Sequence, residues 1–310
     1  MIDKKYYQAN QLIYFGDWAI SSALFALFFI LALRADGPMV ALYGVLSSIA
    51  LYRAGAFVHE LAHQSKSGQL DLFERAWNLT LGPVVLVPAV RFFHPHLTHH
   101  KVGTFGTKAD PQYMPIRTDK KLAAFVLLAI PPIMPIFNLL LVIAASLGER
   151  LDVEGAIERY LARKGYTVGT SVLPEQKREV VLYSRYYLVV FLLYVWFFAY
   201  TLPLMYAIQV GTWWMITLRI PLEHEMREFR ETTGERDHLV DSFTVESPFA
   251  EILQPLCLRL HTAHHMYPGV PYHNLPALHR ELKRTNEEYR KSVVSFMTAV
   301  RGPVRTDALQ

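Results

Sequence analysis

The chain opens with two long apolar stretches that are separated by a short polar turn. The first runs from 18 to 33 without a charged residue, and the second runs from 39 to 57 with Arg53 as its one charge. Each is about long enough to cross a hydrocarbon core of roughly 30 Å as a helix. The polar residues 34–37 predict a turn between them. We therefore interpret residues 18–57 as a transmembrane helical hairpin.

Two further apolar stretches follow in the second half of the chain. Residues 122–147 are apolar, but three prolines between 131 and 135 predict a break near the middle of this stretch. Residues 180–220 are long enough for two crossings, with a turn near Pro203. Hydrophobic stretches of this length are typical of integral membrane proteins.

Eight of the 13 histidines lie in three short clusters, HELAH at 59–63, HLTHH at 96–100 and HTAHH at 261–265. On a helix, positions i, i+3 and i+4 share one face, so we expect the imidazoles of a cluster to point the same way. Neutral imidazole is the commonest protein metal ligand, and eight of them are too many for one ion. All-nitrogen ligation fits iron, copper or zinc. The predicted ligands are His59, His63, His96, His99, His100, His261, His264 and His265.

The histidine clusters constrain the topology, because residues that share a metal must lie on one side of the membrane. Residues 77–93, between the first two clusters, should therefore stay at the membrane interface. Between the second and third clusters the number of crossings must be even. Either 122–147 and 180–220 each cross once, or the former is interfacial and the latter is a hairpin. We prefer the second topology, since it keeps the basic residues within 66–178 on the cytoplasmic side.

Together these patterns predict an all-α integral membrane protein with about four transmembrane helices in two hairpins, interfacial helices, and a cytoplasmic helical region that holds the metal site. We expect it in the bacterial inner membrane, with the metal site on the cytoplasmic side. The single domain, residues 1–310, divides into the first hairpin at 18–57, the first two clusters at 58–121, an interfacial and cytoplasmic segment at 122–179, the second hairpin at 180–220, and a cytoplasmic region with the third cluster at 221–310.

Charge and cysteine content narrow the possible partners and sites. The formal net charge of +4 suits a basic cytoplasmic face against anionic lipid better than it suits nucleic-acid binding. Cys257 is the one cysteine, so the chain contains no internal disulfide and no cysteine-ligated zinc or iron centre.

The three clusters, in this order, resemble the histidine boxes of the membrane fatty acid desaturase and hydroxylase superfamily. That superfamily has a first box of two spaced histidines and two later boxes that each end in a histidine pair. In stearoyl-CoA-type members another histidine follows the last membrane helix, and His224 resembles it, since it comes directly after the apolar stretch 180–220. The resemblance implies that nine histidines, with His224 included, hold two iron ions. Residues 106–111 and 267–276 are similar to bacterial members that act on free or carrier-linked acyl chains.

The chemistry implied by this resemblance is O2-dependent oxidation of an unactivated C–H bond in a fatty acyl or similar lipid chain. We predict a desaturase. Hydroxylation of a lipid or carotenoid and decarboxylation to a terminal alkene stay open, because the outcome depends on fine placement of the chain. The substrate would be a free acid, an acyl-CoA or a chain on an acyl carrier protein.

Oxygen activation consumes electrons, and the sequence has no recognisable haem domain or cysteine cluster. We therefore expect a separate electron donor, either a ferredoxin or a cytochrome b5-like protein. An acidic donor or carrier protein would dock on the basic residues Lys101, Lys108, Arg117, Lys120 and Lys121.

The histidine clusters could also belong to a zinc protease, a membrane hydrolase or a metal transporter. HELAH alone matches the HExxH pattern of zinc metalloproteases, in which the glutamate is the general base. The two HxxHH clusters favour an oxidative centre over a zinc protease or membrane hydrolase. Transporters usually place their ligands inside the spans, whereas these clusters lie outside them, so metal transport is disfavoured.

The remaining histidines have no cluster spacing, and we interpret them as non-ligands: His94, His238, His273 and His279. Asp110, Asp241 and Asn274 are candidates for orienting the ligating imidazoles, with turn or cap roles as the alternative.

Overall fold

A computed structural model describes residues 2–148, 153–163, 172–234, 238–239 and 241–302 of the chain. The described helices are α1 Gln11–Arg34, α2 Pro38–Gly55, α3 Phe57–Gln64, α4 Asp71–Thr80, α5 Gly82–Val85, α6 Ala89–His99, α7 Lys120–Ala124, α8 Ile130–Ser146, α9 Val153–Arg163, α10 Lys177–Phe198, α11 Leu202–Glu223, α12 Ala250–Leu253, α13 His261–Met266, α14 Leu275–Thr285, α15 Glu287–Lys291 and α16 Phe296–Arg301. Strands β1 Thr244–Val245 and β2 Val293–Val294 pair in parallel. Parts of the predicted segment 122–179 lie outside the described residues.

Four helical segments in the described part of the chain are long and apolar enough to cross a membrane: Gln11–Arg34, Pro38–Gln64, Lys120–Ser146 and Pro174–Glu223. The prediction of a helical membrane protein with about four such segments is confirmed. Lys120–Ser146 is among them, although we preferred an interfacial position for this stretch. Length and composition do not decide between the two topologies, so that choice stays a prediction.

The first hairpin has the turn that its sequence predicts. Gly37 takes a φ of +59°, which favours glycine, and Pro38 starts α2, where a helix needs no backbone donor. One ion pair within the hairpin accommodates the single charge of the second stretch. Arg53 lies 3.0 Å from the Asp17 carboxylate and donates a 2.6 Å hydrogen bond to the Ser21 hydroxyl. Charged groups in a membrane helix are tolerated when they are paired in this way.

The predicted break in the proline-rich stretch was wrong. Lys120–Ser146 is one continuous helical segment with a π turn at Phe125–Ala129 just before the prolines, so no break occurs in its middle. Pro131 has no N–H to donate to the carbonyl of Leu127. The indole N–H of Trp214, on α11, donates to that carbonyl at 3.0 Å instead. A neighbouring helix thus satisfies the acceptor that the proline leaves open.

The last apolar stretch breaks where predicted. Helix α10 ends at Phe198, a short 3-10 turn follows at Ala199–Thr201, and α11 begins at Leu202 with a proline in its first turn. Helix α8 packs against both α10 and α11, and α11 also packs along α2. Residues 77–93 form parts of three short helices, α4 to α6, and contain no candidate span.

An aromatic core holds the first histidine cluster in place. Tyr14, Phe57, Phe73 and Trp77 are fully buried against one another, and they join α1, α3 and α4. The Trp77 indole donates to the carbonyl of Ala54 at 3.2 Å, which ties α4 to the end of α2. Burying aromatic side chains of this size supplies much of the local packing energy. Helix α3 therefore continues from the second apolar helix in a fixed position.

A short extended segment joins the end of α11 to the third cluster. The amide of Phe243 donates to the carbonyl of Glu223 at 2.9 Å, and the amide of Val245 donates to the carbonyl of Arg259 at 2.7 Å. His224 pairs with Ser242 in an isolated antiparallel bridge. These backbone hydrogen bonds bring His224 beside α13, although 36 residues separate the two in sequence.

The close approach of α11 to α2 gives a test of this packing. A Cβ added at Gly211 would lie 2.9 Å from Ser48 Cβ, a distance that real Cβ atoms do not show. We expect Gly211→Ala to destabilise the protein by about 1–3 kcal/mol through overpacking. Thermal unfolding of the detergent-solubilised protein measures the effect. Gly44→Ala is the matched control, because an added Cβ there meets nothing within 4 Å.

Restoring space should suppress the defect. Adding Ser48→Gly to Gly211→Ala should recover most of the lost stability. Equal melting of Gly211→Ala and Gly44→Ala would contradict the close helix contact.

Candidate metal centre

Four elements deliver the predicted histidines to one place. Helix α3 carries the first cluster, α6 with its C-cap residue carries the second, and α13 carries the third. His224 follows directly after the last residue of α11. All nine predicted residues are buried or half-buried at this meeting point: His59, His63, His96, His99, His100, His224, His261, His264 and His265.

The nine histidines divide into two groups, in each of which one ring nitrogen per residue lies within 4.8 Å of the others. We call them by their size. The five-histidine group contains His59, His63, His96, His100 and His264. The four-histidine group contains His99, His224, His261 and His265.

The second and third clusters each contribute two histidines to one group and one histidine to the other group. His96 and His100 join the five-histidine group, whereas His99 joins the other group. In the third cluster the i and i+4 residues join the four-histidine group, and His264 crosses to the five-histidine group. Adjacent helical residues point about 100° apart, so a histidine pair must diverge. The expectation that all three imidazoles of a cluster point the same way was therefore too simple, and the HxxHH spacing instead serves two adjacent sites.

His99 and His224 supply the observation that decides what this arrangement can hold. The Nδ1 of His224 faces the carbonyl oxygen of Asp241 at 3.2 Å, and the Nδ1 of His99 faces the carboxylate of Asp110 at 2.9 Å. Carbonyl and carboxylate oxygens accept, so each Nδ1 carries a proton, and in the neutral imidazole that binds metal each Nε2 then has only a lone pair. Yet the two Nε2 atoms lie 3.1 Å apart. Two bare acceptors at this distance repel each other unless a cation lies between them.

Other nitrogen contacts agree with ligands around an ion. The Nε2 atoms of His63 and His96 lie 2.8 Å apart, and those of His224 and His261 lie 2.9 Å apart. Metal–imidazole bonds of about 2.0–2.1 Å place neighbouring ligand nitrogens roughly 2.8–3.4 Å apart, for angles at the metal between about 90° and 109°. Both ring nitrogens of His59 are buried without a hydrogen-bond partner in the described part of the chain. The residues present thus fit a pair of metal ions.

Burial also keeps the imidazoles in the form that binds metal. Removal from solvent lowers the pKa of His96 to about 3, with the neighbouring His99 contributing in the same direction. Burial first, and adjacent imidazoles second, hold the pKa well below its ordinary value at further histidines of both groups: His100, His224, His261, His264 and His265. Neutral imidazole is the ligating form, so these residues need no deprotonation before they bind an ion.

The chain is similar to known proteins over most of its length. The fatty acid desaturase family model matches residues 36–296. The chain belongs to the fatty acid desaturase family. It is also 27% identical over 293 residues to a ceramide hydroxylase of Caulobacter vibrioides (strain NA1000 / CB15N), and the alignment covers 88% of this chain and 81% of that relative. The predicted membership of the membrane desaturase and hydroxylase superfamily is confirmed, and both matches indicate an oxidoreductase.

Glu60, the glutamate of HELAH, has a structural role in this family member. Its Oε2 accepts a 2.6 Å hydrogen bond from the Tyr14 hydroxyl and a 2.9 Å hydrogen bond from the backbone N–H of Tyr272. These bonds tie α1 and the turn before α14 to α3. A metalloprotease would need this carboxylate as a general base on a water molecule, so the contacts disfavour the HExxH hydrolase alternative.

Several residues outside the boxes hold the outer nitrogens of the imidazoles. Asp110 and Asp241 do so as considered from the sequence, the latter through its backbone oxygen. Sequence reasoning missed Gln112, whose Oε1 lies 2.8 Å from His96 Nδ1, and it set aside His238, which contacts His265. Asn274 instead donates to backbone carbonyls of the N-terminal segment, so its role is structural. Gln112 lies two residues after Asp110 and has no regular spacing from the histidine clusters, so no sequence pattern indicated its role.

The other predicted non-ligands lie outside both groups. His273 accepts the backbone N–H of Asn10 at 3.1 Å, and His279 contacts the Tyr289 hydroxyl and the Glu246 carboxylate at 2.6 and 2.9 Å. His94 is not among the nine clustered residues.

The contact between Asp110 and His99 gives a test of the metal centre. Asp110→Asn weakens the acceptor that fixes the His99 tautomer, and loss of such an outer contact typically costs about 10–100-fold in metal affinity. We expect that loss in an anaerobic Fe2+ titration of metal-free protein. Asp119→Asn is the control, because Asp119 caps α7 and lies outside both groups. Equal affinity of the two variants would contradict the assigned role of Asp110.

Proposed function

We propose that this protein is a membrane di-iron oxidoreductase that uses O2 to oxidise an aliphatic C–H bond of a lipid chain. The observation that carries the proposal is the facing pair of bare Nε2 atoms on His99 and His224, 3.1 Å apart. A metal cation between these atoms would satisfy both lone pairs, and the nine histidines form two groups that could each hold one ion. Family membership supports iron as the metal.

The five-histidine group would hold one iron ion and the four-histidine group the other. When bound, the two ions supply the reduction of dioxygen and the oxidising power that no acid–base side chain possesses. The protein contributes placement and environment. Asp110 and Gln112 fix the tautomers of their imidazole partners, while burial excludes water and keeps the ligands neutral.

A lipid chain as substrate suits the apolar helices that carry the centre. Helices α2 and α11 are parts of candidate membrane spans that end at the site, which favours a substrate that enters from the bilayer. Among these helices, an apolar cavity of about 280 Å³ lies between α5, α8, α10 and α11; its walls include Leu86, Leu139 and Phe191 and none of the nine histidines. The polar groups of two lining residues donate hydrogen bonds to backbone carbonyls, Gln209 to that of Val84 and Tyr206 to that of Pro132. Such walls accept hydrocarbon in preference to water.

Two outcomes of C–H oxidation have support. The family match favours desaturation, which was our first prediction, and the similarity to a ceramide hydroxylase favours hydroxylation of a sphingolipid-like chain. The histidine groups supply the same oxidising centre for both. The position of the chain against that centre decides the outcome.

Lipid analysis of cells that express the protein tests the function. Expression of the wild type should give lipids that have lost two hydrogens or gained one oxygen, and growth under labelled O2 identifies the second product by its label. His96→Ala, which removes a residue of the five-histidine group, should abolish either change. His273→Ala is a control that should preserve it. Identical lipid profiles for wild type and His96→Ala would contradict the proposed activity.

We further propose that a separate ferredoxin or cytochrome b5-like protein supplies the electrons. Lys101, Lys108, Lys120 and Lys121 are exposed, and Lys101 directly follows His100 of the centre. We no longer include Arg117 in the proposed docking surface, because its guanidinium donates to the carbonyls of Pro221, Ala299 and Val300. The four lysines form a basic surface that would attract an acidic donor. By the positive-inside rule we expect this surface on the cytoplasmic side of a bacterial inner membrane.

Charge reversal tests the docking surface. Changing the four lysines to glutamate should slow reduction by the donor about tenfold or more at low salt, because steering by opposite charges is lost. The difference should shrink as salt rises, since screening weakens it. The same four positions changed to arginine keep the charge and should leave the rate unchanged. Equal reduction rates for the wild type, the glutamate variant and the arginine variant would contradict the proposed docking surface.

A further inference from the structure

His238 is a tenth buried histidine beside the centre, and it belongs to neither group. Its ring stacks on Phe105 with centroids 4.3 Å apart and planes at 21°. Its Nδ1 lies 2.9 Å from the Nδ1 of His265, a member of the four-histidine group. The hydroxyl of Ser242 donates to its backbone carbonyl, so the residue is held by side chain and backbone alike.

The proton positions at this contact follow from the geometry of His265. Its Nε2 lies 3.1 Å from the Nε2 of His261, on the side where the four-histidine group converges. A histidine that ligates through Nε2 must carry its proton on Nδ1. That proton points at His238 Nδ1, which therefore accepts it through a lone pair. His238 meets the outer nitrogen of His265, so it stands behind a ligand and is not a ligand itself.

We propose that His238 is a positioning residue that fixes the tautomer and ring orientation of His265 for metal binding. The inference rests on the proposed function, since it assigns a role toward the same di-metal centre. Outer partners of ligating histidines are usually carboxylates, backbone carbonyls or water, and they tune metal affinity. Here the described residues place a neutral imidazole in that position.

Phe105 explains why the His238 ring stays in place. It is fully buried, and its ring centroid lies 5.2 Å from that of His99, 5.4 Å from that of His224 and 5.1 Å from that of His265. One aromatic ring thus contacts three of the four ligands as well as His238. The stack leaves the acceptor nitrogen aimed at His265. The effect of His238 should therefore fall on the four-histidine group and leave the five-histidine group unchanged.

Two substitutions separate the acceptor from the ring. His238→Phe preserves a planar ring for Phe105 but removes the acceptor, whereas His238→Asn keeps an acceptor near the Nδ1 position and gives up the stacking. Metal-free full-length protein in detergent is titrated anaerobically with Co2+, whose visible absorption reports coordination by nitrogen ligands. Circular dichroism and the elution volume of the metal-free protein establish that each variant is folded.

For the wild type we expect two bound Co2+ ions per chain. His238→Phe should bind one ion with wild-type affinity and the other about 10–100-fold more weakly, with a changed absorption band for the weaker ion. His238→Asn should recover most of that affinity and the wild-type band. A folded His238→Phe that binds both ions like the wild type would overturn the proposal, as would His238→Asn behaving like His238→Phe.

Failure of the proposed function has a different signature. If the wild type binds fewer than two ions, the di-metal centre is refuted and the role of His238 falls with it. If the wild type binds two ions and His238→Phe weakens both equally, the centre stands and only the positioning role is refuted.

Discussion

Repulsion between two lone pairs is the constraint on which the site depends. Asp110 and the backbone of Asp241 hold the protons of His99 and His224 on their outer nitrogens, so the inner nitrogens face each other as acceptors at 3.1 Å. A buried polar pair of this kind is costly unless a cation satisfies both partners. The remaining histidines surround this pair in two adjoining groups, and the rings of His100 and His265 stack at 4.1 Å across their boundary. Bound ions would stabilise a fold that brings nine buried or half-buried imidazoles together.

The membrane helices set the positions of these groups. Helix α2 leads directly into α3, and α11 ends one residue before His224, so two candidate spans determine where ligands from distant parts of the sequence meet. The ion pair of Asp17 with Arg53 and the contacts of Glu60 tie α1 and the C-terminal part of the chain to the same end of the bundle. Packing of these helices around the ligands supports the orientation of the imidazoles.

The sequence predicted most of this arrangement because its signals are local. Hydrophobic length identifies spans, and histidine spacing identifies helical faces, so eight of the nine histidines were predicted from their spacing, and His224 was predicted from the family resemblance. The division into a five-histidine and a four-histidine group depends on how α6 and α13 face each other, which no single segment encodes. The roles of Gln112 and His238 were not predicted for the same reason, since Gln112 contacts His96 and His238 contacts His265 only through tertiary packing. The continuous helix at Lys120–Ser146 was missed because Trp214, distant in sequence, satisfies the carbonyl that Pro131 leaves open.

We propose that this member of the fatty acid desaturase family holds two metal ions in its histidine groups. The most direct test is the metal content of the purified, detergent-solubilised wild-type protein, measured by mass spectrometry of the elements against protein concentration. We expect about two iron ions per chain, one for each histidine group. A single zinc ion per chain, or no metal in a folded protein loaded with iron under anaerobic conditions, would contradict it.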